Sequence, residues 1–172
     1  QIVQYREKLL NDNEKVNQAK ELSSFCKKYN SLFIVNDRID IALAVDADGI
    51  HLGQTDLPTK TARELLGYEK IIGRSTQCLE DIRNAEEEGC DYIGIGPIFP
   101  SKTKKKLNPI GIDNLRKGLD KTLLPAFAIG GINSSNLDKL SQIDNLRIAV
   151  SDAIINSTDP LSKTEELLNF LT

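Results

Sequence analysis

Seven short apolar runs, each separated from the next by a helix-length stretch, set the strongest limit on how this chain folds. They are Ile2 to Tyr5, Leu32 to Val35, Gly49 to Leu52, Ile71 to Gly73, Tyr92 to Ile95, Ala126 to Ile129 and Leu146 to Val150. Their length and β-branched content read as buried strands. Between them, 13–29 carries Val16, Ala19, Leu22 and Phe25 at helical spacing. The stretch 79–88 carries Ile82 and Ala85 on one side and turns Glu86, Glu87 and Glu88 outward. Strand followed by helix in strict alternation means a parallel sheet. Asn133, Ser134 and Ser135 offer caps for a helix over 136–140, and Asp159-Pro160 opens a last helix that runs to Phe170.

An open doubly wound sheet usually has five or six strands, whereas a (β/α)8 barrel has eight. Seven fits best as an α/β TIM barrel, a single domain over 1–172 whose first strand and helix are missing from the chain. The length of 172 residues and the absence of Met agree with that reading, as does an opening directly on the apolar alternation Gln1-Ile2-Val3-Gln4-Tyr5-Arg6. Such a segment alone is expected to leave sheet edges open, so at least one strand is expected before residue 1. No Pro/Gly/Ser linker or low-complexity tract divides it.

With 22 Lys and Arg against 25 Asp and Glu, the formal charge is -3, too balanced for nucleic acid or an anionic membrane to be the main partner. Any anion site must be local. Cys26, Cys78 and Cys90 are odd in number and widely spaced, so they read as reduced, buried thiols of a cytoplasmic protein. No apolar run approaches the roughly 20 residues that span a bilayer, and no signal segment is present.

Barrel chemistry sits at the C-terminal ends of the strands and in the loops that follow. The first strand ends Gln4-Tyr5-Arg6-Glu7-Lys8, where Gln4, Arg6 and Lys8 share one direction if the strand continues. Two cations there suit a phosphate or diphosphate, against the plainer alternative of a solvated strand end. Asp37 and Asp56 come from adjacent loops, and paired carboxylates beside cations suggest Mg2+ shared with a diphosphate. Either carboxylate also has a structural reading, Asp37 as a cap for a helix near Ile39 and Asp56 in the turn before Pro58. His51, the sole histidine, reads as a hydrogen-bonded interior residue rather than a ligand or base.

Farther along, Gly73-Arg74-Ser75-Thr76 offers hydroxyls and N–H groups to an anion. The segment from Gly94 to Lys106 stiffens a turn with Pro97 and Pro100, then alternates hydroxyls and lysines through Ser101, Thr103 and Lys104. It reads as a cationic lid over phosphate. Gly130-Gly131 and Val150-Ser151-Asp152 end the last two strands, where many such barrels bind phosphate on backbone N–H groups.

These segments together resemble the thiamine-phosphate synthase family over nearly the whole chain. The resemblance rests on Gln4-Tyr5-Arg6-Glu7-Lys8, Asn36-Asp37, Asp48-Gly49-Ile50-His51-Leu52-Gly53-Gln54 with Asp56, Gly96 through Lys104, and Ala128-Ile129-Gly130-Gly131-Ile132. It implies a barrel transferase that joins 4-amino-5-hydroxymethyl-2-methylpyrimidine diphosphate to 4-methyl-5-(2-phosphoethyl)thiazole, giving thiamine phosphate and diphosphate. It further implies that Gln4, Arg6, Lys8, Asn36 and Lys104 hold the pyrimidine diphosphate, with Ser75 beside it and Asp37 and Asp56 on Mg2+. Ser101 and Thr103 would meet the thiazole phosphate side, with the backbone of Gly131, Val150, Ser151 and Asp152 around that phosphate. The implied chemistry is dissociative: it needs leaving-group charge neutralised and water excluded, not a strong base.

Two positions depart from the family pattern. Ser101 stands where Thr is usual and keeps the hydroxyl, while Asp152 stands where Ser is expected and would have to point away from a phosphate. A related thiazole tautomerase on the same barrel is the first alternative, but it is expected to carry His where this chain has Pro97. A non-catalytic thiamine-phosphate-binding domain is the second, and it would have no need of both Asp37 and Asp56.

Overall fold

A computed structural model describes residues 1–101 and 107–171 of the chain. It has an α/β fold with seven strands, and the strands described as paired are parallel. The chain divides into two compact units, residues 1–75 with 87–92 and residues 76–86 with 93–172.

The first unit runs through β1 (Ile2–Tyr5), α1 (Asp12–Lys28), β2 (Leu32–Asn36), α2 (Ile39–Ala44), β3 (Gly49–Leu52), α3 (Thr59–Leu66) and most of β4 (Ile71–Thr76). Its strands pair in chain order, with Gln4 level with Ile34, Asn36 with His51, and His51 with Gly73. One face of these strands packs on helices. Phe33 and Val35 join Ala19, Cys26, Ile41 and Ala42 in one apolar cluster, and Ile50, Leu52 and Ile72 join Ala62 in another. Because side chains alternate along a strand, Gln4, Asn36, His51, Gly73 and Ser75 fall on the opposite face.

Local chemistry explains the element boundaries. Asn11 and Glu14 form a reciprocal cap at the start of α1, with Glu14 N–H donating to Asn11 Oδ1 at 3.0 Å and Asn11 N–H to Glu14 Oε2 at 3.1 Å. Two aspartates brace neighbouring strands from just before a strand start. Asp48 Oδ2 accepts Phe33 N–H and Asp91 Oδ2 accepts Ile72 N–H, both at 2.7 Å. Helix α1 buries Ala19, Ser23 and Cys26, with Val16 and Leu22 at the margin. Phe25, expected on that face, is 58% exposed, because the seam against the sheet takes small residues.

In the second unit come α4 (Leu79–Glu87), β5 (Tyr92–Ile95), α5 (Gly111–Lys121), β6 (Ala126–Ile129), β7 (Arg147–Ala149), α6 (Asp152–Ile155) and α7 (Pro160–Leu171). The boundary falls inside α4, which leaves Glu87 with the first unit, and inside β5, which leaves Tyr92 there. Ile93 to Ile95 pair with β6, and β6 with β7. Glu86, expected to face outward, instead accepts from Thr122 Oγ1 at 2.7 Å and Leu123 N–H at 2.9 Å.

The helix expected over 136–140 is a single 3-10 turn, Leu137–Leu140. The reason lies in its asparagines: Asn136 Oδ1 accepts Asn133 N–H at 3.0 Å, and both side-chain amides donate to Gly131 O, so they tie the preceding loop rather than cap a helix. Cys26 and Cys90 are buried as expected, but Cys78 is exposed. Among the described residues, no helix is long and apolar enough to cross a membrane.

Candidate active site

The first unit gathers two groups of polar side chains, one in the loops that follow its strands and one on the strand face opposite the helices. Strand β1 stops at Tyr5 rather than continuing through Lys8, because Glu7 Oε1 accepts the N–H groups of Leu9 and Leu10 and turns the chain. Arg6 is exposed there. Lys8 still reaches the site, where its ammonium pairs with Asp37 Oδ2.

Asp37 adopts a left-handed backbone, φ 61°, and its N–H donates to His51 O at 2.9 Å. It does not cap α2, whose N-cap Arg38 makes no side-chain cap bond. Asp56 does close the turn proposed for it, since its Oδ2 accepts Gly53 N–H at 2.7 Å, and its carboxyl also meets that of Asp37. Burial, and then the hydrogen bond that a protonated Asp56 donates to the Asp37 carboxylate, push the Asp56 carboxyl above its ordinary range, against the Gly53 N–H, which favours the anion.

Among the described residues, no cluster of three or more His, Cys, Asp or Glu side chains forms a metal cage. The donor set at 37 and 56 is thus a two-carboxylate one. All-oxygen and close-set, with the Lys8 ammonium beside one of its two carboxyls, it fits Mg2+, which commonly takes one or two carboxylates and completes its shell with water and substrate phosphate oxygens.

The second group centres on His51, which is 6% exposed. Its Nδ1 lies 2.9 Å from the Tyr92 hydroxyl and its Nε2 lies 2.9 Å from Ser75 Oγ. The Gln54 amide donates to Ser75 O, and Gln4 is the side chain that favours negative charge on the Tyr92 oxygen, against the burial that disfavours it. His51 is therefore the hydrogen-bonded interior residue that its apolar setting predicts. Tyr92 and Gln54 are site residues to which strand patterns assign no role. The signal for Tyr92 is a phenol inside an apolar strand run whose ring lies over a glycine, Gly73.

Arg74 points to the other side of β4, toward Leu57 O and Thr59 Oγ1, each at 3.3 Å, and Glu88 at 3.7 Å. Thr76 is buried and donates to Gly94 O. Of the four residues Gly73 to Thr76, Ser75 is the one whose hydroxyl joins the His51 group.

In the second unit, the 96–101 segment lies along the end of β6. Ile98 N–H donates to Ile129 O at 2.9 Å and Phe99 N–H to Gly130 O at 3.0 Å. Gly130 and Gly131 have φ of 97° and 70°, and a Cβ would come within 2.5 Å of Pro97 Cβ at the first and 2.4 Å of Pro100 O at the second. The glycine pair thus admits this segment. Ser101 and Val150 are half-buried, and Ser151 and Asp152 are exposed. Asp152 Oδ1 accepts the Asn156 amide at 2.7 Å. Thr103 and Lys104 lie outside the described residues.

Comparisons with known proteins agree on one family. A family model described as thiamine monophosphate synthase matches residues 1–154. A thiamine-phosphate synthase of Prochlorococcus marinus is 55% identical over 99% of this chain and 49% of its own length. Another, from a Synechocystis species, is 45% identical over 99% of this chain and 50% of its own. The chain thus spans about half the length of the curated relatives it matches. Among solved structures, a thiamine phosphate pyrophosphorylase from Pyrococcus furiosus superposes with a TM-score of 0.90 at 37% identity, covering 99% of this chain and 82% of that one. A 3-hexulose-6-phosphate synthase from Salmonella typhimurium, at 18% identity and a TM-score of 0.70, shares the fold alone, covering 99% of this chain and 85% of that one.

Proposed function

Since the chain belongs to the thiamine monophosphate synthase family, we propose that its protein is a transferase that couples 4-amino-5-hydroxymethyl-2-methylpyrimidine diphosphate with 4-methyl-5-(2-phosphoethyl)thiazole. The products are thiamine phosphate and diphosphate. The observation that carries the reading is the Lys8 ammonium paired with Asp37 beside the Asp56 carboxyl, whose affinity for a proton burial and Asp37 raise together. Such a site is built for positive charge brought with an anionic substrate.

In this reading Gln4, Arg6, Lys8, Asn36 and Ser75 hold the pyrimidine diphosphate, with Lys104 added by the family pattern. Asp37 and Asp56 hold Mg2+, which when bound offsets charge on the departing diphosphate. The methylene C–O bond breaks with its electron pair leaving on diphosphate, and the thiazole nitrogen lone pair forms the new C–N bond. No proton has to move, in keeping with a site in which His51 is engaged by Tyr92 and Ser75 rather than set out as a base. Ser101, Thr103 and the backbone of Gly131, Val150, Ser151 and Asp152 take the thiazole phosphate. The Asp152 carboxylate, engaged by Asn156, is turned to its own helix.

The seven strand-helix units are read as part of a (β/α)8 barrel forming one domain over 1–172, acting in the cytoplasm. The match to the Pyrococcus structure supports the α/β fold on which the barrel reading rests. The deciding assay supplies the whole protein with both heterocycles, with Mg2+ and with chelator. Thiamine phosphate formed only with Mg2+ is expected, and none formed with Mg2+ present would sink the synthase reading.

A further inference from the structure

The chain of contacts Ser75–His51–Tyr92, with Gln4 beyond it, carries a direction that its geometry alone does not display. A neutral imidazole has one N–H donor and one bare acceptor, so its tautomer sets the sense of both of its hydrogen bonds. His51 touches Tyr92 Oη through Nδ1 and Ser75 Oγ through Nε2, and His51 and Tyr92 are less than a tenth exposed. The choice is thus made inside the protein.

We propose that His51 and Tyr92 are positioning residues that fix the donor and acceptor sense of Ser75 and Gln4 by holding His51 as its Nε2–H tautomer. The inference rests on the diphosphate reading of the site. A phosphate oxygen beside Ser75 needs a donor, so Ser75 O–H must be spent on the anion. Ser75 Oγ then accepts from His51 Nε2–H, and Nδ1 is left as the acceptor. The Tyr92 hydroxyl gives its one proton to Nδ1, so its oxygen is left to accept an N–H, and the Gln4 amide is the neighbour that favours negative charge on that oxygen. With its N–H engaged, Gln4 keeps Oε1 as an acceptor for an exocyclic amine on an aminopyrimidine. The opposite tautomer reverses every step: Ser75 gives its proton to His51 and turns lone pairs to the anion.

Two features hold the chain in place. Gly73 leaves the seat for the Tyr92 ring, and Gln54 secures the Ser75 carbonyl. Burial also raises the affinity of the Tyr92 phenol for its proton, which keeps it available to donate.

The test uses whole protein labelled with 15N-histidine, with His51→Asn identifying the His51 signals by their loss. Multiple-bond 15N–1H correlations report which ring nitrogen carries the proton, in the free protein and with Mg2+ and inorganic diphosphate added. Nε2–H is expected in both states. Nδ1–H in either, in a preparation that makes thiamine phosphate, overturns the proposal. Tyr92→Phe keeps the ring over Gly73, so it isolates the hydroxyl. It is expected to leave His51 as a mixture of tautomers and to lower kcat/KM by about tenfold, the scale of one buried hydrogen bond. An unchanged tautomer together with an unchanged kcat/KM in this variant refutes the role of Tyr92. If the unaltered protein makes no product, the synthase reading fails by itself, and the tautomer measurement still decides whether the chain has the stated sense.

Discussion

The ring of Tyr92 occupies the space that a side chain on Gly73 would need: a Cβ there would stand 2.0 Å from Tyr92 Cζ and 2.2 Å from Cε1. A glycine in strand β4 thereby seats a phenol that reaches His51. Gly73→Ala is expected to destabilise the fold by about 2–3 kcal/mol, as overpacking of a tight core does. The same change combined with Tyr92→Ala should cost less than the sum of the two alone. Urea unfolding of the four proteins checks this, and additive losses would show that the ring and the glycine are independent.

Asp56→Asn should trade activity for stability. The folded Asp56 carboxyl is raised by burial and Asp37, so its contribution to stability is complete below its unfolded value and is lost as pH rises through the folded one. Asparagine keeps an acceptor for Gly53 N–H and removes the like charge. At neutral pH in chelator, the variant should melt roughly 2–4 °C higher, the scale of about 1 kcal/mol in a chain of this size. The gap should close at a pH below the ordinary aspartate range. Mg2+-dependent synthesis should fall at least about tenfold. Calorimetry across pH, beside the coupling assay, reads both effects.

Arg74 and Ser75 are adjacent in sequence but serve opposite faces of β4. Arg74→Met should cost about 2–3 kcal/mol of stability, because it leaves Leu57 O, Thr59 Oγ1 and Glu88 without their guanidinium. In protein that remains folded, kcat should stay within about twofold. A large loss of kcat with normal stability would place Arg74 at the chemistry instead.

Lys8→Met should show the reverse pattern. The Lys8 side chain is 49% exposed, so the pair with Asp37 adds at most about 1 kcal/mol to stability. Its charge faces the leaving diphosphate in the proposed reaction, and kcat should fall at least about tenfold. A near-normal kcat would remove Lys8 from the site.

Much of this was legible from residue order. Strand positions followed from β-branched apolar runs, whose buried faces leave little freedom of assignment. His51 was readable as an interior residue, because a single histidine between Ile50 and Leu52 has no partner histidine with which to build a ligand set. The helix over 136–140 is not legible in this way, since Asn and Ser signal either a cap or a tied loop, and the choice depends on where Gly131 O lies. The exposure of Phe25 is not legible either, because periodicity ranks residues by hydrophobicity, whereas the helix seam selects for size.

The sequence by itself determined the alternation of strands and helices, the local clustering of cations and carboxylates, and the family to which the chain belongs, because each is written in contiguous residues. Tertiary structure decided how residues far apart in the chain work together. Tyr92 is 41 positions from His51, and only the packing of one ring into the gap left by Gly73 brings its hydroxyl to Nδ1. Likewise, the raised proton affinity of Asp56 depends on burial and on a second carboxyl from another loop, quantities that no local pattern encodes.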